Sequence, residues 1–376
     1  MNETKTSAEL LKYPSIKIMK KNTWFLFILF SLLSIPSFAQ QNYSWQKLTT
    51  EAYKGKQDDI FFIDEKTGWY VNGFGKIFHS KNGGESWEMQ LEKKGTFFRC
   101  IAFMDSLNGF AGTVGTDYFP NVTDTIPLYK TSNGGKNWEP VNYAGKYVKG
   151  LCALDIVKET FINHGEIGYK YHIYGVGRVG SPANFMVSHD NGNTFKSMDM
   201  SAYCSALYDI KMLSKKEGFA CASTTEDIES SHAVILHTTD EGKTWKKVFE
   251  SSRPFEISWK LFFPSKELAY ATIQSYNPDT TVITQHFIKS TDGGKQWKEY
   301  ELCKDYKARP FGVGFIDNDH GFIGTMNSGY ETLNGGKDWA KIDLGKACNK
   351  IRIVHLPDGK IYGYAIGVNV YKLIRN

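Results

Sequence analysis

The octapeptide Ser80-Lys81-Asn82-Gly83-Gly84-Glu85-Ser86-Trp87 follows the pattern S/T-x-D/N-x-G-x-x-W/F, which occurs six times in the 376 residues. In such a turn the Asp or Asn side chain accepts hydrogen bonds from nearby backbone N–H groups, and glycine adopts the positive φ that the turn requires. The closing aromatic residue can pack between neighbouring sheets. The sequence therefore predicts a structural role for the third and eighth residues of each repeat, which are Asn82 and Trp87, Asn133 and Trp138, Asp190 and Phe195, Asp240 and Trp245, Asp292 and Trp297, and Asn334 and Trp339.

A second pattern supplies the strands around these turns. An apolar segment such as Ile60-Phe61-Phe62-Ile63 is followed by a polar turn and by a segment that opens with glycine and an aromatic residue, here Gly68-Trp69. A third segment, residues 76–79, runs directly into the repeated turn, and a fourth follows it. We name these strands A, B, C and D. Four antiparallel strands per repeat are typical of a β-propeller blade.

The two ends of the chain complete the count of blades. After the sixth repeat, residues 351–356, 360–365 and 369–373 provide strands A, B and C, but no seventh repeat follows. The missing strand D, with its aromatic residue Trp45, is found at residues 44–48. We therefore predict an all-β, seven-bladed β-propeller in one domain, residues 40–376, closed by the N-terminal strand so that no sheet edge is left free at the seam.

The first 39 residues have the pattern of a signal peptide. Lys20 and Lys21 precede an apolar run at residues 24–35, and Ser37-Phe38-Ala39 places small residues before a cleavage site at Gln40. The run is too short to span a bilayer. The sequence thus predicts export to the periplasm or the extracellular space, with no integral membrane segment after cleavage, and Met19 is an alternative start.

Charge and cysteine content exclude several functions. The net charge of +5 becomes +2 without residues 1–39, which hold five Lys and two Glu, so the basic patch of a nucleic-acid binder is absent. The six cysteines form no C-x-x-C motif and no grouping with histidine, so we expect neither a metal nor a cofactor. Two interpretations of the cysteines stay open, namely buried free thiols and one or two disulfides after export.

The unit that runs from Asp64 through Gly68-Trp69 and Gly75 to Trp87 resembles the Asp-box, or bacterial neuraminidase repeat, propellers, and most of all their photosystem II stability and assembly factor branch. The superfamily also includes sialidases, xyloglucanases and sortilin-type receptors. The resemblance implies an exported scaffold, expected to be a monomer, that binds a protein or a glycan. It does not extend to the sialidase Arg-Ile-Pro motif, because the first arginine of the chain, Arg99, follows the first repeat.

Two features point to a ligand site where the B–C and D–A connections meet, at one mouth of the central channel. The B–C connections are short in blades 1, 6 and 7 but long in blades 2 to 5, which builds a wall on one side of the mouth. Cations suited to carboxylate, sulfate or phosphate groups are also concentrated in these connections. The predicted ligand-binding residues are Arg99, Lys149, Arg178, Arg253, Arg309 and Arg352.

Two alternatives to this anion-binding site follow from the acidic residues. Each cation could instead pair with an acid between blades, such as Asp58, Asp59, Asp209 or Glu256. Alternatively, Asp58, Asp59 and Asp209 could face each other across the mouth as the carboxylates of a glycoside hydrolase. The chain contains no other complete catalytic motif. We therefore predict a non-catalytic binding or assembly scaffold, with a sialidase-like or xyloglucanase-like hydrolase as the alternative.

Overall fold

In most blades the two inner strands are buried and the outer strand is exposed or half-buried. The computed structural model describes residues 43–356 and 358–375, and the predicted signal peptide lies outside these residues. In blade 2, every residue of the innermost strand Phe98–Phe103 is buried, and so is every residue of the next strand, Gly109–Thr113. The outermost strand of blade 1, Glu88–Glu92, is exposed or half-buried throughout. The inner strands are buried on both faces because each blade packs between two others.

The strands, in chain order, are as follows. Strand β1 is Tyr43–Leu48. Blade 1 contains β2 (Gln57–Phe62), β3 (Gly68–Asn72), β4 (Lys76–Ser80) and β5 (Glu88–Glu92). Blade 2 contains β6 (Phe98–Phe103), β7 (Gly109–Thr113), β8 (Leu128–Thr131) and β9 (Glu139–Pro140). Blade 3 contains β10 (Ala144–Gly145), β11 (Ala153–Asn163), β12 (Glu166–Gly177), β13 (Asn184–Ser188) and β14 (Lys196–Asp199).

The second half of the ring continues the same order. Blade 4 contains β15 (Ala206–Met212), β16 (Gly218–Ser223), β17 (Ala233–Thr238) and β18 (Lys246–Glu250), and the 3₁₀-helix Ile228–Ser230 lies between β16 and β17. Blade 5 contains β19 (Glu256–Phe262), β20 (Ala269–Ser275), β21 (Thr284–Ser290) and β22 (Lys298–Lys304). Blade 6 contains β23 (Pro310–Phe315), β24 (Gly321–Thr325), β25 (Gly329–Thr332) and β26 (Ala340–Ile342), and blade 7 contains β27 (Lys350–His355), β28 (Ile361–Ile366) and β29 (Val370–Arg375).

The predicted closure is confirmed. The seventh sheet has the order β1-β29-β28-β27, so the N-terminal strand is the outer strand of the C-terminal blade. The Trp45 ring meets Phe322 of blade 6 edge to face, with 5.1 Å between ring centroids. Trp45 therefore takes the place that the repeat aromatics take in the other blades. The fold is an all-β, seven-bladed propeller.

The glycine that opens strand B has a steric reason in several blades. A Cβ atom added at Gly68, Gly109 or Gly321 would lie within 2.5 Å of the aromatic ring that ends strand A of the same blade. In blade 1 that ring belongs to Phe62, which in turn stacks on Tyr364 of blade 7 with centroids 3.8 Å apart. Only glycine leaves room for these rings, and the rings then join one blade to the next.

Blade 3 departs from the four-stranded pattern in two ways. The short strand β10 adds to its outer edge, parallel to β14, which makes this sheet five-stranded. Its A–B hairpin is also much longer than any other, with eleven cross-strand residue pairs from Ala153↔Val176 to Asn163↔Glu166. Neither feature was predicted from the sequence. The six cysteines are free thiols in the structure, which agrees with the first of the two interpretations and not with disulfides.

Candidate functional site

A cavity of about 630 Å³ opens where the B–C and D–A connections meet, and we call it the mouth cavity. Residues near the start of the innermost strands line it, including Arg99, Tyr208 and Trp259. The four long B–C connections all contribute lining residues: Tyr118 and Phe119 in blade 2, Val179 and Gly180 in blade 3, Glu226 and Ile228 in blade 4, and Tyr276 in blade 5. Its volume is within the range of about 300 to 1,000 Å³ that is common for ligand sites.

Aromatic rings give the mouth cavity a largely apolar lining. Phe119 stacks on Phe97 with centroids 4.5 Å apart, and Tyr118 meets Phe119 edge to face. Deeper in the cavity, Trp259 contacts Phe311 edge to face at 5.8 Å. Tyr118 and Phe119 remain substantially exposed, so this wall presents aromatic surface to solvent. Exposed rings beside polar groups are typical of recognition sites.

Arg99 and Arg309 are the two predicted binding residues that the structure brings together in this cavity. Arg99 is only 5% exposed and is ion-paired with Asp58. Arg309 is half-buried, its guanidinium carbon lies 4.1 Å from the ring centroid of Tyr276, and its Nε donates to the Ser275 carbonyl. Among the described residues Arg309 has no acidic partner, so its charge is available to a ligand.

The other predicted cations lie elsewhere and have partners. Lys149 is ion-paired with Asp117, and Arg178 donates to the backbone carbonyls of Ser181, Val114 and Thr116. Arg253 binds Glu299 through two nitrogens, at 2.6 and 2.7 Å, and also contacts Glu256. Arg352 pairs with Asp59 at 3.1 Å, on the other side of the channel interior. Four of the six predicted cations, Arg99, Lys149, Arg253 and Arg352, are therefore ion-paired with an acid, as the alternative predicted.

An ionic layer separates the mouth cavity from a second cavity, of about 520 Å³, which opens on the side of the A–B turns. The Lys350 ammonium lies 3.7 Å from carboxylate oxygens of both Asp59 and Asp209. Lys260 reaches Asp209 at 3.5 Å and donates to the Tyr208 carbonyl at 2.9 Å. The two cavities share no lining residue, because side chains from blades 1, 4, 5 and 7 fill the channel between them.

The three carboxylates considered for hydrolysis are all held by cations. Asp58 accepts from Lys56 at 2.6 Å and from Arg99. Burial opposes ionisation of Asp59, but Arg352, Lys350 and the Ile101 N–H outweigh it and lower the pKa of its carboxyl. Glycoside hydrolysis needs one carboxylic acid whose pKa is raised so that it can donate a proton. The surroundings of Asp59 favour the opposite state.

Several residues of the mouth were missed by the sequence analysis. Tyr208, Trp259 and Phe311 occupy strand A positions that we had examined only for charged residues. Trp259 also links blades, since its Nε1 donates to Asn349 at 3.1 Å and Asn349 donates to the Asp58 carbonyl at 2.8 Å. Large aromatic residues at the start of strand A were a signal that could have identified the cavity lining.

Two features are absent from the part of the chain that the structure describes. No group of three or more His, Cys, Asp or Glu residues in residues 43–356 and 358–375 is arranged to hold a metal ion. Within the same residues, no helix has the length and apolar character needed to cross a bilayer.

A seven-bladed propeller with a walled, aromatic cavity at one mouth resembles the photosystem II assembly factor-like propellers. The sequence is 22% identical over 332 residues to the chloroplastic photosystem II stability/assembly factor HCF136 of Oryza sativa subsp. japonica. The match covers 80% of this chain and 69% of that protein. No family model matches the sequence.

Solved structures with the same architecture extend this likeness. A structure of YCF48 bound to D1 peptide has a TM-score of 0.61 and 14% identity, and the match covers 89% of this chain and 97% of YCF48. An ancestral GH74 enzyme has a TM-score of 0.58 and 15% identity, with 87% of this chain and 46% of that enzyme covered. At these identities the structural matches establish the fold.

Proposed function

We propose that this chain is an exported, non-catalytic propeller that binds an extended segment of a partner protein in the mouth cavity. One observation carries the proposal. The guanidinium of Arg309, which has no acidic partner among the described residues, lines the same cavity as the exposed rings of Tyr118 and Phe119. A peptide could place a carboxylate on Arg309 and apolar side chains on the rings. The similar propeller YCF48 has been solved with a peptide bound, which supports a protein ligand over a glycan.

The backbone at Arg309 adds a second reason. Its φ is +30°, in the left-handed region that residues other than glycine rarely adopt. Such strained conformations cost on the order of 1–3 kcal/mol and are concentrated at binding and active sites. With this backbone conformation the Arg309 side chain lies against Tyr276 at the edge of the cavity. A preformed position lowers the entropic cost of binding a ligand.

Peptides selected from a random display library against the full chain would test the proposed function. We expect Arg309→Gln to weaken binding of the selected peptides at least tenfold, and Tyr118→Ala to weaken it similarly. Lys307→Gln is the matched control, because this exposed lysine lies two residues away and does not line the cavity. Unchanged affinity in both cavity variants would reject the mouth as the site. Preferential binding of xyloglucan oligosaccharides would change the ligand class to a glycan.

Export is part of the same proposal and has its own test. The predicted signal peptide, residues 1–39, lies outside the described residues, so its support is the sequence pattern alone. Mass spectrometry of the protein recovered from the periplasm or medium of an exporting host should find Gln40 as the first residue. Recovery only as the uncleaved chain in the cytoplasm would contradict it. We also propose that the six repeated turns are Asp boxes in the family sense.

A further inference from the structure

The A–B hairpin of blade 3 extends well beyond the ring. The hairpins of blades 1 and 4 end at the pairs Phe62↔Gly68 and Met212↔Gly218, three residues after Asp59 and Asp209. In blade 3, Ser188 of the repeated turn pairs with Ile173, as Ser80 pairs with Gly68 in blade 1, so the equivalent end point is the pair Ile156↔Ile173. Seven further residue pairs, from Val157↔His172 to Asn163↔Glu166, follow this end point. At about 3.4 Å per residue they project roughly 24 Å.

One face of this extension is apolar and open. Side chains alternate between the faces of a strand, so Lys158, Ile162, Ile167, Tyr169 and Tyr171 share one face. Ile162 is 78% exposed, Ile167 65% and Tyr169 50%. Lys158 and Tyr171 at the base also line the second cavity, so the apolar face is continuous with that cavity.

The opposite face has a different character. It carries Glu159 and Lys170 as a cross-strand pair, with Phe161 lying over Gly168. At its base, the buried His172 contacts Glu159 at 2.9 Å. Phe161 on this face is 44% exposed, whereas Ile162, Ile167 and Tyr169 all lie on the first face. Most of the exposed apolar surface of the extension is therefore on the first face.

The backbone of the extension is also unpaired on its outer side. Strand β13 pairs with β12 only from Ile173↔Ser188 onward. The last contact beyond that point joins Tyr171 to Asn191 through the Asn191 side chain and backbone. Within the described chain, no strand follows along Glu166–Lys170. A two-stranded ribbon is marginal in stability by itself, and an open edge of this kind accepts a further strand.

The charge on the apolar face gives the added strand a preferred chemistry. The Lys158 ammonium lies 3.6 Å from the ring centroid of Tyr169, so it is presented above β12. Lys158 forms no ion pair with any described residue, whereas the neighbouring Lys211 is neutralised by Asp155. An acidic side chain on an adjoining strand would complete the pair in surroundings that the aliphatic residues partly desolvate.

We propose that the extension is a second binding site, in which a partner segment of alternating aliphatic residues with an acidic residue adds as a strand to the edge Glu166–Lys170. Its aliphatic side chains would cover Ile167 and Tyr169, and its carboxylate would meet Lys158. This mode supplies affinity from main-chain hydrogen bonds and specificity from alternate side chains. The site lies on the opposite side of the ring from the mouth cavity and is independent of the function proposed there.

Three synthetic peptides test the site on the full chain. The first is a capped nonapeptide of alternating valine and threonine with one central glutamate. The second has the same side chains but N-methylated backbone nitrogens on alternate residues, and the third has lysine in place of glutamate. We expect the first to bind with protection of residues 166–170 from amide hydrogen exchange. The second should bind at least tenfold more weakly, because it cannot pair with the edge.

Variants of the hairpin separate the contribution of the apolar face to binding from that of Lys158. Ile162→Ser with Ile167→Ser should weaken the first peptide at least tenfold, and Lys158→Glu should transfer preference to the lysine peptide. Tyr118→Ala, in the mouth cavity, is the control and should leave both affinities within twofold. Near-ultraviolet circular dichroism checks that each variant keeps the packed core.

Several results would overturn the proposal. These are failure of the first peptide to bind, equal binding of the N-methylated peptide, or no change in the hairpin variants. Binding to phosphatidylglycerol vesicles that is lost in the double serine variant would assign the apolar face to a lipid surface instead. Self-association that the same variant abolishes would assign it to a second copy of this chain.

Discussion

Asp59 shows how single buried residues hold neighbouring blades together. Its carboxylate accepts the backbone N–H of Ile101 in the next blade at 3.0 Å. Asp155 and Asp209 make the same contact with Met212 and Leu261, in blades 4 and 5. A carboxylate that accepts a backbone N–H is a strong acceptor in a buried site. These acids therefore have a clear structural role at the blade interfaces.

Replacing Asp59 with asparagine should destabilise the fold strongly. The variant leaves Arg352 without its buried counter-charge and Lys350 with Asp209 alone, and breaking a buried pair in this way typically costs about 3–5 kcal/mol. Urea unfolding followed by tryptophan fluorescence measures the loss. Lys247→Gln, which breaks the exposed pair with Glu250, is the control and should cost less than about 1 kcal/mol. Equal effects of the two changes would contradict the role of the ionic layer.

The lowered pKa of Asp59 gives a pH dependence of definite sign. A depressed pKa in the folded state means that the ionised carboxylate stabilises the fold at pH values above its unfolded pKa, near 4. That contribution is lost as pH falls through the folded pKa. The free energy of unfolding of the wild type should therefore fall more steeply below pH 4 than that of Asp59→Asn. Parallel curves would show that another group dominates acid unfolding.

For single residues, the sequence predicted which side chains are charged and lie in the connections better than it predicted which residues they contact. The sequence identified the cations in the connections. It did not identify their partners, because Arg253 binds Glu299, which lies 46 residues further along the chain in the outer strand of blade 5. The aromatic lining of the mouth was missed because Tyr208 and Trp259 look like ordinary core residues in a buried strand. Which buried aromatic residue borders a cavity depends on the shape of the closed ring, and a linear pattern does not contain that information.

At the scale of elements, the repeated turn is a hydrogen-bonded unit with the same design in each of the six blades that carry it. In blade 3, Asp190 accepts from the Thr194 N–H at 3.0 Å and from the Thr194 hydroxyl at 2.6 Å. The Ser188 hydroxyl accepts from the Gly192 N–H at 3.0 Å. Gly192 has a φ of +77°, as the sequence pattern required. The turn satisfies its own polar groups, so it needs no ligand for stability.

Changing Asp190 tests this design. Asp190→Ala should destabilise the protein by about 1–2 kcal/mol, since two donors of Thr194 lose their acceptor. Asp190→Asn is the control, because asparagine occupies the same position at Asn82, Asn133 and Asn334. It should cost less than about 0.5 kcal/mol in urea unfolding. A large loss in the asparagine variant would mean that charge, rather than hydrogen bonding, stabilises the turn.

The same residue gives a second pH effect. Burial opposes ionisation, but the Thr194 hydroxyl and N–H outweigh it and lower the pKa of Asp190 to about 2. Its contribution to stability is therefore complete above about pH 4 and is lost as pH falls toward 2. Nuclear magnetic resonance titration of the carboxyl carbon should find a midpoint well below that of a free aspartate. A midpoint near 4 would contradict the hydrogen-bond assignment.

Strand order and loop lengths followed from the repeats, whereas the blade 3 hairpin did not. The long B–C connections are where the sequence placed them, since they interrupt a regular pattern. The hairpin was missed because residues 153–163 and 166–177 continue with strand-forming residues, and no repeated turn marks their extra length. A two-residue connection, His164-Gly165, is the only break between them. Alternation of side chains predicts a strand but not how far it projects from a core.

At the scale of the whole molecule, closure by β1 determines whether the ring is a single cooperative unit. Residues 43–374 form one compact unit. Without β1, strand β29 would present an open edge, which promotes aggregation. Deleting residues 43–48 should therefore lower the thermal midpoint and produce oligomers in size-exclusion chromatography. Gln46→Ala, an exposed change within the same strand, is the control and should behave as wild type.

The two proposed sites lie at opposite ends of the ring. The ionic layer lies between the two cavities, which share no lining residue. One end has aromatic walls and a free guanidinium, and the other has the apolar hairpin. A scaffold with two separate sites could hold two segments of a partner, or two partners, at once.

Amide hydrogen exchange of the full chain, with and without a peptide selected for binding, tests the central claim most directly. We predict protection in residues 115–124 and 275–283, the B–C connections that carry Tyr118 and Tyr276. Arg309→Gln should remove this protection at the same peptide concentration. Protection confined to the repeated turns or to the hairpin of blade 3, with residues 115–124 and 275–283 unchanged, would contradict binding at the mouth.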